Sequence, residues 1–566
     1  MLLSNFDVLA TAPGGVARLR ELILTLAVQG KLLPQDPADE PASELLKKIR
    51  AEKDRLIAEG KIRRDKPLAG IAEAGQPFDL PTGWEWVRCA DYFIELCTGP
   101  FGSVIHQEDY VRDGVPLINP SHMVGGTIVH DPRVTLKLED AERLSAYALS
   151  AGDLVLARRG EVGRYALVTE REHGWLCGTG SFFVRLHESC NRDYLGLLFT
   201  DSRFRQHLQD QSVGTTMTNL NQRILLDALI ALPPLAEQSR IVTRVEELMR
   251  LCDALEAKGR LEAAQHAQLV SNLLATLTDS ATPEALTENW QRLATHFDTL
   301  LDRPSSVDAL EQTILQLAVR GLLVPQDPAD EPASVLLKHI RSEKDRLIAA
   351  GQIKRDKPLE PIADGEKPFD LPEGWAWARF PELGEFGRGK SKHRPRNDPT
   401  LFNPPKYPLI QTGEVSRADG VVREVHSYYS DIGLAQSRIW PKGTLCITIA
   451  ANIAESAILG FDSCFPDSVV GFVPADAMGN VEYFLLFVET AKADLLAFAP
   501  ATAQKNINLE ILSSLLIPVP PRNELTRIVA RVAALRRLCA DLRQRLAASQ
   551  TAQAQLAGAL VESVSN

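Results

Sequence analysis

The ten residues PQDPADEPAS occur twice in this chain of 566 residues, at Pro34–Ser43 and again, letter for letter, at Pro325–Ser334. The match extends without a gap in both directions, from about Ile23 to Arg88 in the first copy and from Ile314 to Arg379 in the second. A repeat spacing near 290 residues is far too long for a solenoid of stacked units. The sequence therefore predicts a two-fold duplication.

A second matching block lies near the end of each half. The motif NLN at Asn219–Asn221, followed by the pair Pro233-Pro234, recurs as NIN at Asn506–Asn508, followed by Pro520-Pro521. Between the two blocks, about 130 residues in each half are largely unrelated. The chain therefore alternates between segments that are repeated and segments that differ.

An apolar stripe typical of coiled coils follows each Pro-Pro pair. Its residues alternate at spacings of four and three, which keeps one line of side chains facing a partner helix. We expect two long helices that pack on each other, with Gly259 disturbing the first. The candidate packing residues are Ile241, Val245, Leu248 and Leu255 in the first helix and Ile528, Val532, Leu535 and Leu542 in the second. Packing inside an ordinary helical bundle would also explain a single such stripe.

Shorter helices are predicted in both repeated blocks, at residues 18–29, 43–59, 307–320 and 334–350. Ser43 and Ser334 follow a Pro-Ala pair and are the expected N-caps. In the divergent segments, short apolar runs predict strands at residues 115–119, 152–157 and 178–185, and at 407–411, 443–448 and 469–473. The fold class that follows is mixed α/β, with two globular domains separated by the two long helices.

The composition excludes several classes of protein. At 45% hydrophobic and 24% charged residues, the chain is an ordinary globular protein and not a disordered one. No apolar run is long enough for a membrane span, and eight scattered cysteines without a CxxC pair argue against zinc and disulfides. The net charge of −11 means that any DNA site must be a local basic surface.

One motif resembles a nucleotide-binding loop. Residues Gly384–Ser391 satisfy the pattern GxxxxGK[ST]. A phosphate-binding loop must lead into a helix, but Pro395 and Pro399 follow closely and would break one. We interpret the segment as a flexible basic loop. Similarly, Asn403–Lys406 has lysine where methyltransferases carry an aromatic residue, so the sequence predicts no catalytic centre.

Two segments are candidates for contact with nucleic acid. The densest cationic run contains Arg388, Lys390, Lys392, Arg394 and Arg396, which could neutralise phosphates. In the first half, Arg158, Arg159 and Arg164 flank a glycine turn after a predicted strand and could read guanine. Solvated surface charge explains both segments as well. The paired asparagines of the NLN and NIN motifs are interpreted as caps and turns.

Five motifs resemble one known family. They are Thr98–Ser103 (TGPFGS), Gly152–Gly163 (GDLVLARRGEVG), Gly214–Asn221 (GTTMTNLN), Leu232–Gln238 (LPPLAEQ) and Gln312–Gly321 (QTILQLAVRG). Together they resemble the specificity (S) subunits of type I restriction-modification systems, over essentially the whole chain. The second copy departs from the fourth motif and reads PPRNEL at Pro520–Leu525.

The resemblance implies a division of labour. Target recognition domains at residues 80–232 and 371–519 would each read one half of a split, asymmetric DNA sequence. Repeated regions at residues 1–79 and 281–370, with helices at 233–280 and 520–566, would form an antiparallel coiled-coil spacer and dock two methyltransferase (M) subunits. The candidate DNA-binding residues are Ser103, Asn119, Arg158, Arg159, Arg164, Arg388, Lys390, Lys392, Arg394, Arg396 and Gln411.

The resemblance places the chemistry elsewhere. This chain would hold no cofactor, while S-adenosylmethionine would belong to the methyltransferase and ATP with Mg²⁺ to the restriction (R) subunits. The expected location is the prokaryotic cytoplasm, with no membrane partner. Two alternatives remain: a specificity module for a fused methyltransferase-nuclease, and a coiled-coil adaptor without a DNA role. The acidic balance keeps the second alternative open.

Overall fold

The computed structural model describes residues 6–64, 70–71, 76–100, 104–211, 220–280, 282–355, 358–393, 395–450, 452–497 and 507–565. The chain divides into two compact units. The first comprises Met1–Leu261 and Gln550–Asn566, and the second comprises Glu262–Ser549. Among the described residues, no helix combines the length and the apolar character that crossing a membrane requires.

The first unit combines helices with short strands. Its helices are α1 (Phe6–Thr11), α2 (Gly15–Val28), α3 (Ala42–Ala58), α4 (Cys89–Tyr92), α5 (Leu138–Arg143), α6 (Arg192–Thr200), α7 (Ser202–Asp210), α8 (Gln222–Asp227) and the first part of α9 (Leu235–Thr278). Its strands are β1 (Glu85–Arg88), β2 (Glu95–Thr98), β3 (Val115–Ile118), β4 (Met123–Val124), β5 (Thr127–Ile128), β6 (Thr135–Leu136), β7 (Leu154–Ala157), β8 (Tyr165–Leu167), β9 (Leu176–Cys177), β10 (Ser181–Arg185) and β11 (Leu229–Leu232).

The central sheet of this unit is antiparallel, in the order β2-β10-β7-β8. Strand β7 is buried along its whole length, as its continuous apolar sequence predicts. Strands β1 and β11 pair antiparallel and bring the two ends of the divergent segment together. A second sheet of three strands has the order β6-β3-β9.

The second unit repeats this plan. Its helices are α10 (Pro283–Thr295), α11 (Phe297–Leu300), α12 (Pro304–Val319), α13 (Ala333–Ala349), α14 (Phe380–Leu383), α15 (Thr412–Arg417), α16 (Asp431–Ala435), α17 (Glu482–Ala497), α18 (Leu509–Ser514) and most of α19 (Arg522–Ser565). Its strands are β12 (Ala376–Arg379), β13 (Gly384–Arg388), β14 (Tyr407–Leu409), β15 (Val421–Val422), β16 (Ser427–Tyr429), β17 (Leu445–Thr448), β18 (Ser456–Leu459), β19 (Val469–Pro474) and β20 (Leu516–Val519). The main sheet has the order β13-β19-β17-β18-β15, and β12 pairs with β20.

The six predicted strands and four predicted shorter helices are present, but the predicted N-caps are wrong. Helix α3 begins at Ala42 and α13 at Ala333, and neither has a side-chain cap. The first helical N–H group is satisfied differently: that of Ala42 donates to the carbonyl of Gly83, and that of Ala333 to Gly374. A hydrogen bond to the carbonyl of the Gly-Trp turn therefore satisfies the start of each helix, where a serine side chain was expected to do so.

The long helices α9 and α19 each contain 44 residues. The predicted disturbance at Gly259 is wrong, because α9 continues through this position. Glycine costs a helix interior only about 1 kcal/mol relative to alanine. Gly259 is exposed, and a Cβ atom there would meet no neighbour.

The apolar stripes of both helices contribute to the cores of the units in which they lie. Ile241 and Val245 belong to the buried cluster that contains Trp84. Ile528 and Val532 belong to the equivalent cluster that contains Trp375. Three further candidates are partly buried against these clusters, namely Leu248, Leu535 and Leu542, while Leu255 is half-buried. The packing of the two long helices on each other stays a prediction.

A buried carboxylate fixes the start of each long helix. Glu237 accepts hydrogen bonds from the indole N–H of Trp84 at 3.0 Å and from the amide of Gln35 at 3.2 Å. Burial raises the pKa of Glu237 from its ordinary value. The same arrangement recurs in the second unit around Glu524, whose partners are Trp375 at 3.0 Å and Gln326 at 3.1 Å. These contacts join three separate segments of the repeat, namely those that contain the glutamine, the tryptophan and the glutamate.

Candidate nucleic-acid interface

Several loops of the first unit converge at one end of its central sheet. They follow strands β2, β3 and β7 and precede strand β10, so residues far apart in sequence become neighbours. Backbone hydrogen bonds join them in pairs: Gly99 N to Ser181 O at 3.0 Å, Gly178 N to Ile118 O at 2.8 Å, Arg158 N to Gly180 O at 2.9 Å and Leu220 N to Arg158 O at 2.9 Å. We call this region the first edge.

The first edge is packed so tightly that two positions admit only glycine. A Cβ atom at Gly99 would lie 2.2 Å from the carbonyl oxygen of Gly178. A Cβ atom at Gly178 would lie 2.7 Å from the carbonyl oxygen of Ile118. Both distances are far below van der Waals contact, so these glycines hold the loops together at a separation that no other residue permits.

Three predicted arginines lie at the first edge in different environments. Arg159 is exposed and makes no ion pair with another described residue. Arg158 is half-buried, its guanidinium lies 5.3 Å from the centre of the Phe182 ring, and burial lowers its pKa. Arg164 pairs with Glu161 and donates to the carbonyl of Pro120 at 3.4 Å. Of the three, Arg159 is the one that presents an uncompensated charge to solvent.

Sequence reasoning missed Arg205 in helix α7. Its guanidinium lies 3.4 Å from the carboxylate of Glu161, which Arg164 also contacts. These three residues form a network that holds the pKa of Glu161 below its ordinary value. No local pattern links α7 to the turn after β7, so only the fold reveals this arginine.

Equivalent loops converge in the second unit, at what we call the second edge. Strands β13, β17 and β19 take the places of β2, β7 and β10. The corresponding hydrogen bonds are Gly389 N to Val469 O at 2.9 Å, Ile449 N to Ser468 O at 2.9 Å and Ile507 N to Ile449 O at 3.1 Å. The loop after β14 is joined by a different bond, from Ile410 N to Cys464 O at 3.0 Å. Two nearly unrelated sequences thus build the same arrangement.

The interpretation of Gly384–Ser391 as a flexible loop is partly wrong. Its first five residues form strand β13, which pairs with Val470–Pro474. The extended conformation excludes a phosphate-binding loop, and the next α-helix among the described residues begins only at Thr412. Glycine suits the start of this strand because the backbone of Gly384 lies so close to the carbonyl of Val473 that a side chain would have no room.

The cationic run of the second unit divides into paired and unpaired side chains. Arg396 pairs with Asp467 at 2.9 Å, and Nε of Arg388 donates to the Asp467 carbonyl at 2.9 Å. Lys390 and Lys392 are exposed, with no ion pair to another described residue. Ser103 and Arg394, which were also predicted to contact DNA, lie outside the described residues.

The two predicted amide residues occupy equivalent cap positions. Asn119 precedes the short 3₁₀ turn Pro120–His122 and forms a capping box with His122. Gln411 precedes α15 and forms a capping box with Glu414. Each side chain therefore has a local structural role at its edge.

The interpretation of the NLN and NIN motifs as caps is confirmed at two of the four asparagines. Asn221 accepts a hydrogen bond from Ile224 N at 3.0 Å, and Asn508 accepts one from Ile511 N at 2.8 Å. Asn219 and Asn506 lie outside the described residues. Across the part of the chain that the structure describes, no group of three or more His, Cys, Asp or Glu is placed to hold a metal ion.

These observations define a class of protein: a duplicated recognition protein with two similar frames that carry different surface residues. Comparison with known proteins identifies the family. The sequence profile of the type I restriction modification DNA specificity domain matches residues 83–266 and 372–549. The chain belongs to this family and is a non-catalytic specificity subunit.

Two relatives from Escherichia coli are particularly similar. The specificity subunit of the type I restriction enzyme EcoEI is 34% identical over 582 aligned residues, covering 98% of this chain and 94% of that subunit. The EcoAI specificity subunit is 44% identical over 381 residues, covering 66% of this chain and 63% of that subunit. The crystal structure of the HsdS subunit from Thermoanaerobacter tengcongensis aligns with 86% of this chain and 98% of its own, at 20% identity and a TM-score of 0.40.

Proposed function

We propose that this chain reads a split, asymmetric DNA target, with one half recognised at each edge, in a complex with two M subunits and with R subunits. The observation that carries the proposal is the shared frame of the edges with different side chains on it. Where the first edge has Arg158 and Arg159, the second has Ile449 and Ala450. Different surface chemistry on one frame is what recognition of two unlike half-sites requires.

The unpaired cations supply the contacts with the DNA backbone. Arg159 at the first edge, and Lys390 and Lys392 at the second, are exposed and lack ion-pair partners among the described residues. Binding phosphate therefore breaks no existing ion pair. The paired cations Arg164 and Arg396 are held in defined positions, where they would act as readers of bases in the groove. Ser103, Asn119, Arg158, Arg388, Arg394 and Gln411 remain candidates for the same surface.

Matching leucines on the long helices favour two copies of one partner. Leu251 and Leu269 on α9 are 59% and 51% exposed, and their counterparts Leu538 and Leu556 on α19 are 64% and 51% exposed. Leu251 and Leu538 thus mark equivalent exposed apolar faces, one in each unit, and Leu269 and Leu556 mark a second equivalent pair. We assign these faces to the M subunits. S-adenosylmethionine then belongs to M, and ATP with Mg²⁺ to R.

The long helices set the gap between the half-sites. A helix of 44 residues spans roughly 66 Å, which exceeds one turn of DNA, about 34–36 Å. Two such helices, packed on each other, would keep the edges at a fixed separation. The target is therefore two short specified blocks with a constant unspecified gap between them.

The test is methylation profiling of the reconstituted complex. The chain is co-expressed with its methyltransferase in a host that lacks modification, and modified bases are mapped across the genome. The proposal expects one motif of two unlike blocks with a gap of constant length. One contiguous motif, or no modification that depends on this chain, would contradict it. Expression of the methyltransferase without this chain is the control.

A further inference from the structure

The apolar core between each short helix, α2 or α12, and the long helix of its unit does not distinguish the two copies of the repeat. In the first unit, α2 and α9 contribute to one buried cluster the residues Ile23, Leu24, Ala27, Ile241, Val245 and Cys252. In the second unit, α12 and α19 contribute the same residue types at the matching positions, namely Ile314, Leu315, Ala318, Ile528, Val532 and Cys539. Either short helix could therefore pack against either long helix.

An ion pair next to this core is also common to both copies. Asp39 pairs with Arg240 of α9 at 2.6 Å. Its counterpart Asp330 pairs with Arg527 of α19 at 2.7 Å, so the signs of the partners are the same in both units. Exchange of equivalent elements is a characteristic way in which repeat proteins misfold. Neither the apolar core nor this ion pair opposes such an exchange.

A second set of ion pairs between the same helices has opposite signs in the two units. Arg20 of α2 lies 2.8 Å from Asp253 and 3.2 Å from Glu256 of α9. At the position that matches Arg20, α12 has Glu311. Its partner on α19 is Arg543, which stands at the position that matches Glu256. The short helix is thus the cationic partner in the first unit and the anionic partner in the second.

Two further charges strengthen the reversed pair of the second unit. Arg543 also pairs with Asp308 of α12 at 2.6 Å. Arg536 of α19 lies 3.0 Å from Glu311. The matching positions of the first unit carry no charge: they are Ala17 and Met249. The additional charges are therefore present only in the unit where they agree with the reversal.

Exchange of the short helices would bring like charges together at both long helices. Arg20 would face Arg543, and Glu311 would face Glu256 with Asp253 beside it. Like charges repel as strongly as opposite charges at the same distance attract. The side chain of Glu311 is only 17% exposed, so solvent ions screen its charge less than that of a fully exposed residue. Both exchanged pairings are therefore penalised.

We propose that the reversed ion pairs select which short helix packs on which long helix, and so prevent the two copies of the repeat from exchanging partners within a chain or between chains. The apolar core and the Asp-Arg pair are common to both copies, whereas the reversed pairs supply a difference between them. Each divergent domain is thereby joined to one defined pair of helices. The proposal does not depend on DNA recognition, and its test uses neither DNA nor an M subunit.

The experiment identifies the partner of each short helix by zero-length cross-linking of the full chain, after unfolding in urea and refolding. A carbodiimide joins an amine to a carboxylate only where the two groups are in contact, and peptide mass spectrometry then identifies the linked positions. The reaction requires lysine in place of arginine, so the reference is the double variant R20K/R543K. For these two positions we expect only native links, from position 20 to α9 and from position 543 to α12.

The same-sign variant gives the first unit the charges of the second. It carries R20E/D253A/E256K together with R543K, so that each short helix is anionic and each long helix is cationic at the matching positions. Native links should then fall by about half, because both pairings are equally satisfied. Links from position 20 to position 543, and from position 256 to α12, should appear in their place. Native links alone in this variant would overturn the proposal.

A rescue variant separates the choice of partner from local damage to the first unit. It adds D308A/E311K/R536M to the same-sign variant and has R543E in place of R543K, so that the two units again have opposite signs. Only native links should form, from position 20 to position 256 and from position 311 to position 543. Failure of this rescue would overturn the proposal. So would an equal loss of native links when the reference carries R244E/E247R, which reverses an exposed ion pair within α9.

Discussion

Glu237 is an ionisable residue whose side chain the protein keeps almost completely buried. Both of its carboxylate oxygens accept hydrogen bonds, yet burial outweighs these bonds and raises its pKa from the ordinary value of 4.5. Burial likewise raises the pKa of Glu524. A raised pKa means that the folded protein retains a proton which the unfolded chain has already lost.

This shift predicts a pH dependence of stability. As the pH rises above 4.5, the unfolded chain releases the proton first, so the contribution of Glu237 to stability falls until the folded pKa is passed. In the variant Glu237→Gln, the side chain at this position does not ionise, so its contribution to stability does not change with pH. We therefore expect the stability of the parent protein relative to the variant, measured by urea unfolding, to decrease between pH 4.5 and neutrality. A difference that does not change with pH would contradict this assignment, and exposed Glu247→Gln is the control.

The unpaired cations make a second prediction at this scale. Changing Lys390 and Lys392 to alanine should leave up to two DNA phosphates without a cationic partner. The slope of log K against log salt for the complex with its methyltransferase should then fall by about 0.9 for each such phosphate, and all sequences should be affected alike. Arg143→Ala, at an exposed site of the first unit that is not part of the first edge, should leave the slope unchanged. A change of target sequence with an unaltered slope would assign these lysines to base reading.

Residues with purely local roles could be predicted from the sequence, whereas the ion-pair network in which Arg164 and Arg205 both contact Glu161 could not. Asn221 and Asn508 cap helices through atoms three residues away, so a sequence pattern contains the whole interaction. The contact of Arg205 with Glu161 joins residues 44 positions apart. This contact depends on how α7 packs on the sheet, and no periodic pattern in the sequence predicts that packing.

At the scale of elements, the helix N-termini show what a motif alone leaves undecided. Ser43 has the right residue type and the right neighbours for a cap, but a carbonyl from the Gly-Trp turn satisfies the helix instead. We predict that Ser43→Ala changes the free energy of unfolding by less than about 0.5 kcal/mol. Asn221→Ala, which removes a real cap, should cost about 1 kcal/mol. Equal effects in urea unfolding would contradict this difference.

Helix α9 makes a prediction of its own at Gly259. The position is exposed and helical, and a Cβ atom there meets nothing, so Gly259→Ala should raise the free energy of unfolding by about 1 kcal/mol. The mirror-image control is Ala257→Gly, at an exposed position two residues earlier, which should lower it by a similar amount. If Gly259→Ala were destabilising in urea unfolding, the glycine would be serving a contact at this surface.

The strands could be predicted individually, but their order could not. The apolar run at Leu154–Ala157 identifies β7 as a buried strand, yet its neighbours in the sheet, β8 and β10, are set by pairings between residues far apart in sequence. The order β13-β19-β17-β18 in the second unit matches β2-β10-β7-β8 in the first. Divergent sequences thus retain one topology, because the continuous burial of the central strands and tight glycine contacts are retained while surface residues change.

For the whole molecule, the duplication shows which blocks stay constant between the two halves of the chain and which blocks differ. The repeated blocks preserve the buried carboxylate, its tryptophan partner and the exposed leucines, at matching positions in both copies. The divergent blocks preserve the frame of each edge and change its charges. This division is what the proposed function, docking one partner twice and reading two different half-sites, would require.

The final prediction tests the number of partners. Leu251→Arg and Leu538→Arg each place a charge on one of two equivalent exposed faces. If the parent binds two M subunits, as proposed, each single variant should bind one. The double variant should bind none, because a charge at the centre of an apolar contact is strongly unfavourable. Native mass spectrometry of the co-expressed complex measures the ratio directly.

A leucine without a counterpart provides the matched control for this experiment. Leu261 on α9 is 59% exposed, as Leu251 is, but its equivalent in the second copy is Ala548. If the docking faces are defined by the duplicated leucines, Leu261→Arg should keep two M subunits bound. Loss of both M subunits in either single variant would mean that the sites are not independent. A ratio of two in the double variant would place the docking surfaces elsewhere on the repeated blocks.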